Sequence, residues 1–318
     1  MANSVTFTDN SFVGEVAEQL IIDCISPNKT VDGGHIYLQT GINKKLFLPR
    51  IRLTGDIIQT YTPTPSTSGT FDLTERELPV NRLQTYLEFH PNEFRDYWTE
   101  FAPSFQQLLT QTTLPTQVLN PMTDLMVRSV SRDIAKAIWQ GDLGASPTPS
   151  YPNNFFVGII AHLEAESGTI DVPSPVTLTA ANVEDEMFKV YDLIPDACLD
   201  LPDMKMFVST KTAKLLQAAA TAISGKGPTF LQVNGLDDIT FYGIPVIRLN
   251  EFPDDTIVAA ESGAMESSNF HFGATSYENH SVFRIGRVQE NSELYFMKMI
   301  YAAGTEVAKP EEVVLYKA

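Results

Sequence analysis

The run from Asn120 to Gly141, NPMTDLMVRSVSRDIAKAIWQG, constrains the fold more than any other stretch. It reads as one helix with both ends marked. Asn120 can serve as an N-cap, and Pro121 at the first helical position has its φ preset and no amide to satisfy. Gly141 supplies a residue that ends it. Met126, Val130, Ile134 and Ile138 recur every four residues, with Leu125 and Ala137 beside them. That is one apolar stripe at helical spacing. Arg128, Arg132 and Lys136 make a second, basic stripe. A solvated face is its simplest reading; phosphate or a neighbouring chain are the alternatives. A helix over 121–140 is about 30 Å long, the width of a small domain, so other elements must be laid across it.

The chain is long enough for two or three subdomains around a sizeable core. With 43% hydrophobic and 19% charged residues it reads as globular. No apolar run approaches the roughly 20 residues of a membrane-spanning helix. The opening MANSVTFTDNSF lacks the basic and apolar regions of a secretory signal. Cys24 and Cys198 cannot make a disulfide framework and read as small buried hydrophobes of a reducing compartment. A net charge of −17 argues against affinity of the whole chain for nucleic acid. The charge is unevenly spread. Gly41 to Gly55 holds four basic residues (Lys44, Lys45, Arg50, Arg52) and no acidic one, whereas 142–210 holds eleven acidic residues against Lys189 and Lys205. Two such segments can pair within a subunit or between subunits.

Residues 1–34 read as a polar arm with one helical segment, in which Val13, Val16 and Leu20 recur at helical spacing; Gly33-Gly34 ends it. Residues 35–80 read as a long β-excursion. HIYLQTG, KLFLPRIRL and DIIQTYT are β-rich, PTPSTSG makes a tip, and TFDLTERELPVNRLQTYLEF returns. Little in it could form a core of its own. PNEFRDYWTEF opens a helical stretch before the long helix, and FFVGIIAHL after it reads as a buried strand. VTLTAANVEDEMFKVYDLIP reads as a helix capped by Thr179, with core stripe Val183, Met187, Val190 and Ile194 and a stop at Pro195. MKMFVS is a strand, and TKTAKLLQAAATAISG a helix ended by Gly225. Short strands follow, broken at Asn234-Gly235, Gly243 and Asp254-Asp255, then SVFRIGRVQ, ELYFMKMIYAAGTEVA and EEVVLY. No repeat is visible.

Catalytic chemistry finds little purchase. No His sits at metal-ligand spacing from another His or Cys, so no metal or cofactor is expected. Gly225-Lys226-Gly227 lacks the full phosphate-loop pattern and follows a helix where that motif needs a strand. Cys198 lies in an acidic stretch that disfavours a thiolate. The pairs Glu184/Glu186 and Asp254/Asp255 fit a helix N-terminus and a turn better than a catalytic dyad, though a soluble hydrolase with an acidic dyad is the reading from another class.

The order of elements resembles that of tailed-bacteriophage major capsid proteins, whose shell fold is shared with encapsulins. The stretches that carry the resemblance are AIWQGD, FFVGII, EMFKVYDLIP…MKMFVSTKTAKLL, FYGIPVIRLNEFPDDTIVAA and SVFRIGRVQ…ELYFMKMIYAAG. It implies an α+β fold with an N-terminal arm (1–34), a long β-hairpin E-loop (35–80), a peripheral domain (81–166 and 282–318) with its spine helix at 121–140, and an axial domain (167–281). It further implies a non-enzymatic structural protein that self-assembles into hexamers and pentamers of an icosahedral head around double-stranded DNA, which it meets without sequence preference. The expected partners are a portal protein, a separate scaffolding protein, and decoration or head-completion proteins. No membrane is expected; the site of assembly is the bacterial cytoplasm and the destination the virion. An encapsulin-type nanocompartment is the alternative. Contacts between subunits are expected at Lys44, Lys45, Leu46, Leu48, Arg50 and Arg52 on the β-excursion, with a neighbour's acidic segment as their partner, and at Phe12, Val16 and Leu20 on the arm.

Overall fold

The computed structural model describes residues 11–13, 29–42, 44–55, 57–64, 66–90, 116–143, 154–222, 231–233, 235–275, 282–289 and 294–318. In chain order, β1 (Ser11–Val13) precedes a single helical turn, α1 (Lys29–Asp32). Strands β2 (Tyr37–Ile42), β3 (Lys45–Thr54), β4 (Thr70–Pro79) and β5 (Asn81–Phe89) follow, then the long helix α2 (Thr116–Gln140). Next come α3 (Ile159–Ala165), β6 (Ile170–Asp171), α4 (Val183–Asp192), α5 (Asp196–Leu199), β7 (Met204–Ser209) and α6 (Thr210–Ala222). The rest is β8 (Leu231–Val233), β9 (Ile239–Phe241), β10 (Ile244–Leu249), β11 (Thr256–Glu261), β12 (Phe270–Thr275), β13 (Val282–Arg287), β14 (Tyr295–Val307) and β15 (Val314–Lys317).

Two large sheets and one free-standing hairpin account for the strands. In the first sheet β14 runs through the middle. It pairs with β5 along one edge, and with β13 and then β12 along the other. β12 continues to β2, and β1 closes the open edge of β13. The second sheet runs β6-β15-β11-β7-β10-β9-β8 and is mixed, with β7 parallel to β10 and β15 parallel to β6. β3 and β4 pair only with each other, through ten consecutive register partners from Lys45↔Pro79 to Thr54↔Thr70.

The second sheet is apolar on both faces because it is covered on both. Met206, Val208, Ile257, Ala259, Val314 and Tyr316 point into one core with Val183, Met187 and Val190 of α4 and Ala213 and Leu216 of α6. Their alternates Phe207, Val258, Ala260 and Leu315 point into the other core, with α2 and the first sheet. This is the period of two of a strand, carried by a continuous apolar run. Trp139 lies where the elements meet. It is fully buried, with its ring 5.1 Å from Phe207, 4.9 Å from Phe252 and 5.5 Å from Phe270, and its indole N–H donates to Thr30 Oγ1 at 3.1 Å.

The long helix keeps its expected inner face. Met126, Val130, Ile134, Ala137 and Ile138 are buried, but Leu125 is exposed. The helix begins at Thr116, so Asn120 lies inside it and does not cap it. Pro121 removes a single backbone hydrogen bond there, and the extra turn brings the length to about 37 Å. FFVGIIAHL is helical from Ile159, with Ile159, Ile160 and Leu163 buried on one side; a short apolar run does not distinguish helix from strand by period. Of DIIQTYT, residues 57–62 are not a strand, because they have no pairing partner among the described residues, and Asp56 lies outside them. The N-cap position of α4 is Asn182 and not Thr179; its side chain caps no helix amide, and its oxygen instead accepts from the Thr179 amide at 2.7 Å. Gly225 and the Gly225-Lys226-Gly227 run lie outside the described residues. Strands fall across the expected divisions: β1 and β2 of the expected arm and excursion join the first sheet, as does β12, and β15 joins the second.

Candidate intersubunit surface

The β3–β4 hairpin projects from a root that glycine makes possible. Gly273 of β12 and Gly304 of β14 are register partners. A Cβ on Gly304 would stand 1.9 Å from the Pro79 carbonyl oxygen, and one on Gly273 would meet Ile42, Val80 and Leu78. Two adjacent missing side chains let the end of β4 cross the sheet in direct contact.

The hairpin has two faces of different character. The inner face carries the pairs Leu46/Leu78, Leu48/Arg76, Arg50/Thr74 and Arg52/Asp72. Leu78 is fully buried, and Leu46 and Leu48 are half-buried. Arg76 Nε donates to Glu306 at 3.0 Å, and its other nitrogen pairs with Glu166 of the loop after α3. Arg50 pairs with Glu311, with Glu312 at 3.9 Å, and Arg52 approaches Glu311 at 4.0 Å. Burial raises the Glu311 carboxyl, but hydrogen bonds from its own backbone amide and from Arg50 outweigh it, and the group stays below the usual range.

The outer face carries Phe47/Glu77, Pro49/Glu75, Ile51/Leu73 and Leu53/Phe71. Ile51 is 72% exposed, Leu73 71% and Phe71 76%, and Ile58 at the tip is 92% exposed. Large aliphatic and aromatic side chains laddered on a bare strand pair mark an interaction surface. Lys45 also lies on this side, 2.6 Å from Glu77 and 4.7 Å from the Phe47 ring centroid.

These placements revise the expected contact set. Leu46, Leu48, Arg50 and Arg52 face their own subunit, and the acids that meet the arginines are Glu311 and Glu312, outside the 142–210 block. Lys44 is exposed at the root. The large apolar side chains left exposed on the hairpin's outer face and beyond it are Ile51, Leu53, Ile58, Phe71 and Leu73. Their signal is present in KLFLPRIRL, which is apolar at both odd and even positions and so needs two coverings. Phe12 has its backbone paired with Phe283 of its own β13, which corrects the expectation of a helical arm at that point; Val16 and Leu20 lie outside the described residues. On α2, Arg128 and Arg132 are exposed and Lys136 half-buried, with Arg132 3.7 Å from Asp133.

The acidic pairs hold structure together. Asp255 accepts from the Leu178 amide at 3.1 Å and from Lys211 at 3.0 Å, and Glu186 accepts from Lys189 at 2.7 Å. Burial pushes the Cys198 thiol up, away from a thiolate. A groove of about 580 Å³ between α2 and β5 is lined by Leu83, Leu87, Met122, Leu125, Met126 and Met297. Arg82, Glu88, Ser129 and Asp133 also line it, beside the apolar majority. Among the described residues no cluster of three His, Cys, Asp or Glu could hold a metal ion, and no helix is long and apolar enough to cross a membrane.

No family model matches the chain, and no curated protein matches it in sequence. Solved structures do match. The satellite phage P4 procapsid including the size determination (Sid) protein aligns with TM-score 0.60 and 14% identity, over 94% of this chain and 98% of that one. Gordonia phage Cozz aligns with TM-score 0.56 and 12% identity, over 100% and 90%. The capsid of the empty GTA particle gives 0.55 and 12%, over 100% and 96%. The chain has the phage major-capsid fold. At these identities the likeness is one of fold, and it spans the capsid chains almost end to end.

Proposed function

We propose that the protein is the shell-forming subunit of a phage head. The observation that carries this reading is the outer face of the β3–β4 hairpin, an apolar ladder left bare by its own subunit in a chain with the phage major-capsid fold. An isolated strand pair is marginal in water, and this one gains stability by lying on a second copy. The hairpin then acts as the E-loop, α2 as the spine helix, and the second sheet with α4 and α6 as the core of an axial domain. Head-to-tail contacts of this kind close into rings. Hexamers and pentamers tile an icosahedral shell around double-stranded DNA, with portal, scaffolding and decoration proteins as partners. The Arg128/Arg132 stripe remains a solvated face or a second contact.

Electron microscopy of the purified protein tests this. Closed particles of uniform size are expected, and Ile51→Ser with Leu73→Ser should abolish them. A wild-type protein that stays monomeric at every concentration, by light scattering, would refute the reading. An encapsulin-type nanocompartment is the second reading, favoured by a likeness to the virus-like particle from Pyrococcus furiosus (TM-score 0.50, 9% identity, over 96% and 99%). Nuclease-protected DNA inside particles from infected cells supports the head; a packaged enzyme supports the compartment.

A further inference from the structure

Three aromatic rings, two on α4 and one in the β9–β10 turn, form a second exposed surface. Phe188 is 45% exposed and Tyr242 43%, and Tyr191 lies half-buried between them. Tyr191 and Tyr242 stack at 4.8 Å with 24° between their planes; Phe188 stands 5.7 Å from Tyr242 and 6.3 Å from Tyr191. The buried Phe241 backs the group, 5.1 Å from Tyr242.

Tyr242 is an unexpected residue for its position. It joins β9 to β10 in a two-residue turn with Gly243, and both residues have positive φ, +48° and +85°. Such turns favour Asn, Asp or Gly, because a Cβ is strained in the left-handed region. The aromatic side chain therefore does something that the turn itself does not require.

The rim is acidic. Asp185 stands one turn before Phe188 on the helix and Asp192 one turn after it, whereas Glu184 is half-buried with one carboxylate oxygen out of solvent. Asp185 and Asp192 are exposed. The nearby Lys189 has its ammonium held by Glu186 at 2.7 Å. Ring faces carry negative quadrupole potential and attract cations, and carboxylates at their edge add charge of the same sign.

We infer that the Phe188–Tyr191–Tyr242 platform binds an arginine-rich segment of a different protein. No ten consecutive residues of this chain hold more than two arginines, so an arginine-rich segment comes from another protein. This rests on the shell reading only in making the partner one that meets the assembled subunit, such as an internal or decorating protein.

The probe is a short synthetic peptide of alternating Arg and Gly, with a Gln/Gly peptide of equal length as control, titrated against the full-length protein by calorimetry. The Arg peptide should bind and the Gln peptide should not. Tyr242→Asn suits the turn, so the protein should fold at least as well while binding weakens about tenfold. Phe188→Ala should weaken it comparably. Asp185→Asn with Asp192→Asn should weaken it about threefold and flatten its salt dependence. Equal binding of both peptides, or unchanged binding by Tyr242→Asn and Phe188→Ala, overturns the proposal. So does a platform covered by a second copy, seen as Tyr242→Asn blocking particle formation with no effect on peptide affinity. Particle formation is scored separately by microscopy. Shells without peptide binding sink this inference alone, and binding without shells sinks the shell reading alone.

Discussion

Strands β11 and β3 are both rich in aliphatic residues, yet every residue of β11 is buried and none of β3 is. The difference lies in what surrounds them. β11 has β7 and β15 on its edges and a packed layer on each face. β3 has β4 on one edge and its own subunit under one face. Apolar content is thus a demand for covering, and the fold of one chain need not meet it. Where it is met, burial stabilises the subunit; where it is not, the same chemistry is left for another molecule.

Substitutions can break or sharpen this contrast through their effect on the unassembled subunit. Ile134→Asp in α2 would place an unpaired charge in the covered core, at a cost of about 4 kcal/mol or more. Soluble yield should collapse; normal yield would mean that the helix faces the other way. Gly304→Val would collide with the Pro79 backbone and should cost about 3 kcal/mol, read as a lowered Tm. Arg76→Gln leaves the buried Glu306 without its guanidinium and should cost about 2 kcal/mol by the same measurement.

A pH effect comes next. The imidazole of His35 is pushed down to about 4 by burial, helped by the positive charges of Lys205 and Lys29. The unfolded chain takes up that proton near 6.5 and the folded one does not, so stability falls as pH drops from 6.5 to about 4. Glu311, whose folded value is lowered, contributes stability above its unfolded value that is lost as pH falls through the folded one. His35→Gln should flatten the upper part of the curve. Arg50→Gln should remove the lower part and cost under about 1 kcal/mol at neutral pH, since the pair is partly exposed. Denaturant melts across the range would show it. Smallest of all, Ile51→Ser with Leu73→Ser should change subunit stability by less than about 0.5 kcal/mol. An unfolding midpoint lowered as much as by Arg76→Gln would mean that the outer face is packed within its own subunit.

The sequence made much of this visible. The α2 stripe at Met126, Val130, Ile134 and Ile138 and the α4 stripe at Val183, Met187 and Val190 are buried where their spacing put them, and so is Ile194 just past the end of α4. Helical amphipathicity is written locally, every third or fourth residue. The second sheet was legible as short apolar runs between Gly, Asn and Asp turns. What was hidden depends on distance. Nothing within KLFLPRIRL says which face meets Glu306 and Glu311, more than 200 residues away, and so which of Leu48 and Ile51 is turned outward. The aromatic platform was hidden for the same reason, since Phe188 and Tyr242 lie 54 positions apart.

The glycine crossing at 273 and 304 has a mechanical consequence. Strands of ten residues reach about 34 Å from that point, and beyond the crossing the inner face is tied to the subunit by Leu46, Leu48, Arg50 and Arg76. The crossing is a fulcrum, and the hairpin is a lever arm upon it. A tilt of about 10° at the root moves the far end by about 6 Å at that length, enough to pass a side chain across a neighbouring surface. Arg50 and Arg76 act as guy-lines that set the resting angle. A small turn of the hairpin at this crossing re-aims its outer face without any change in the subunit's own core.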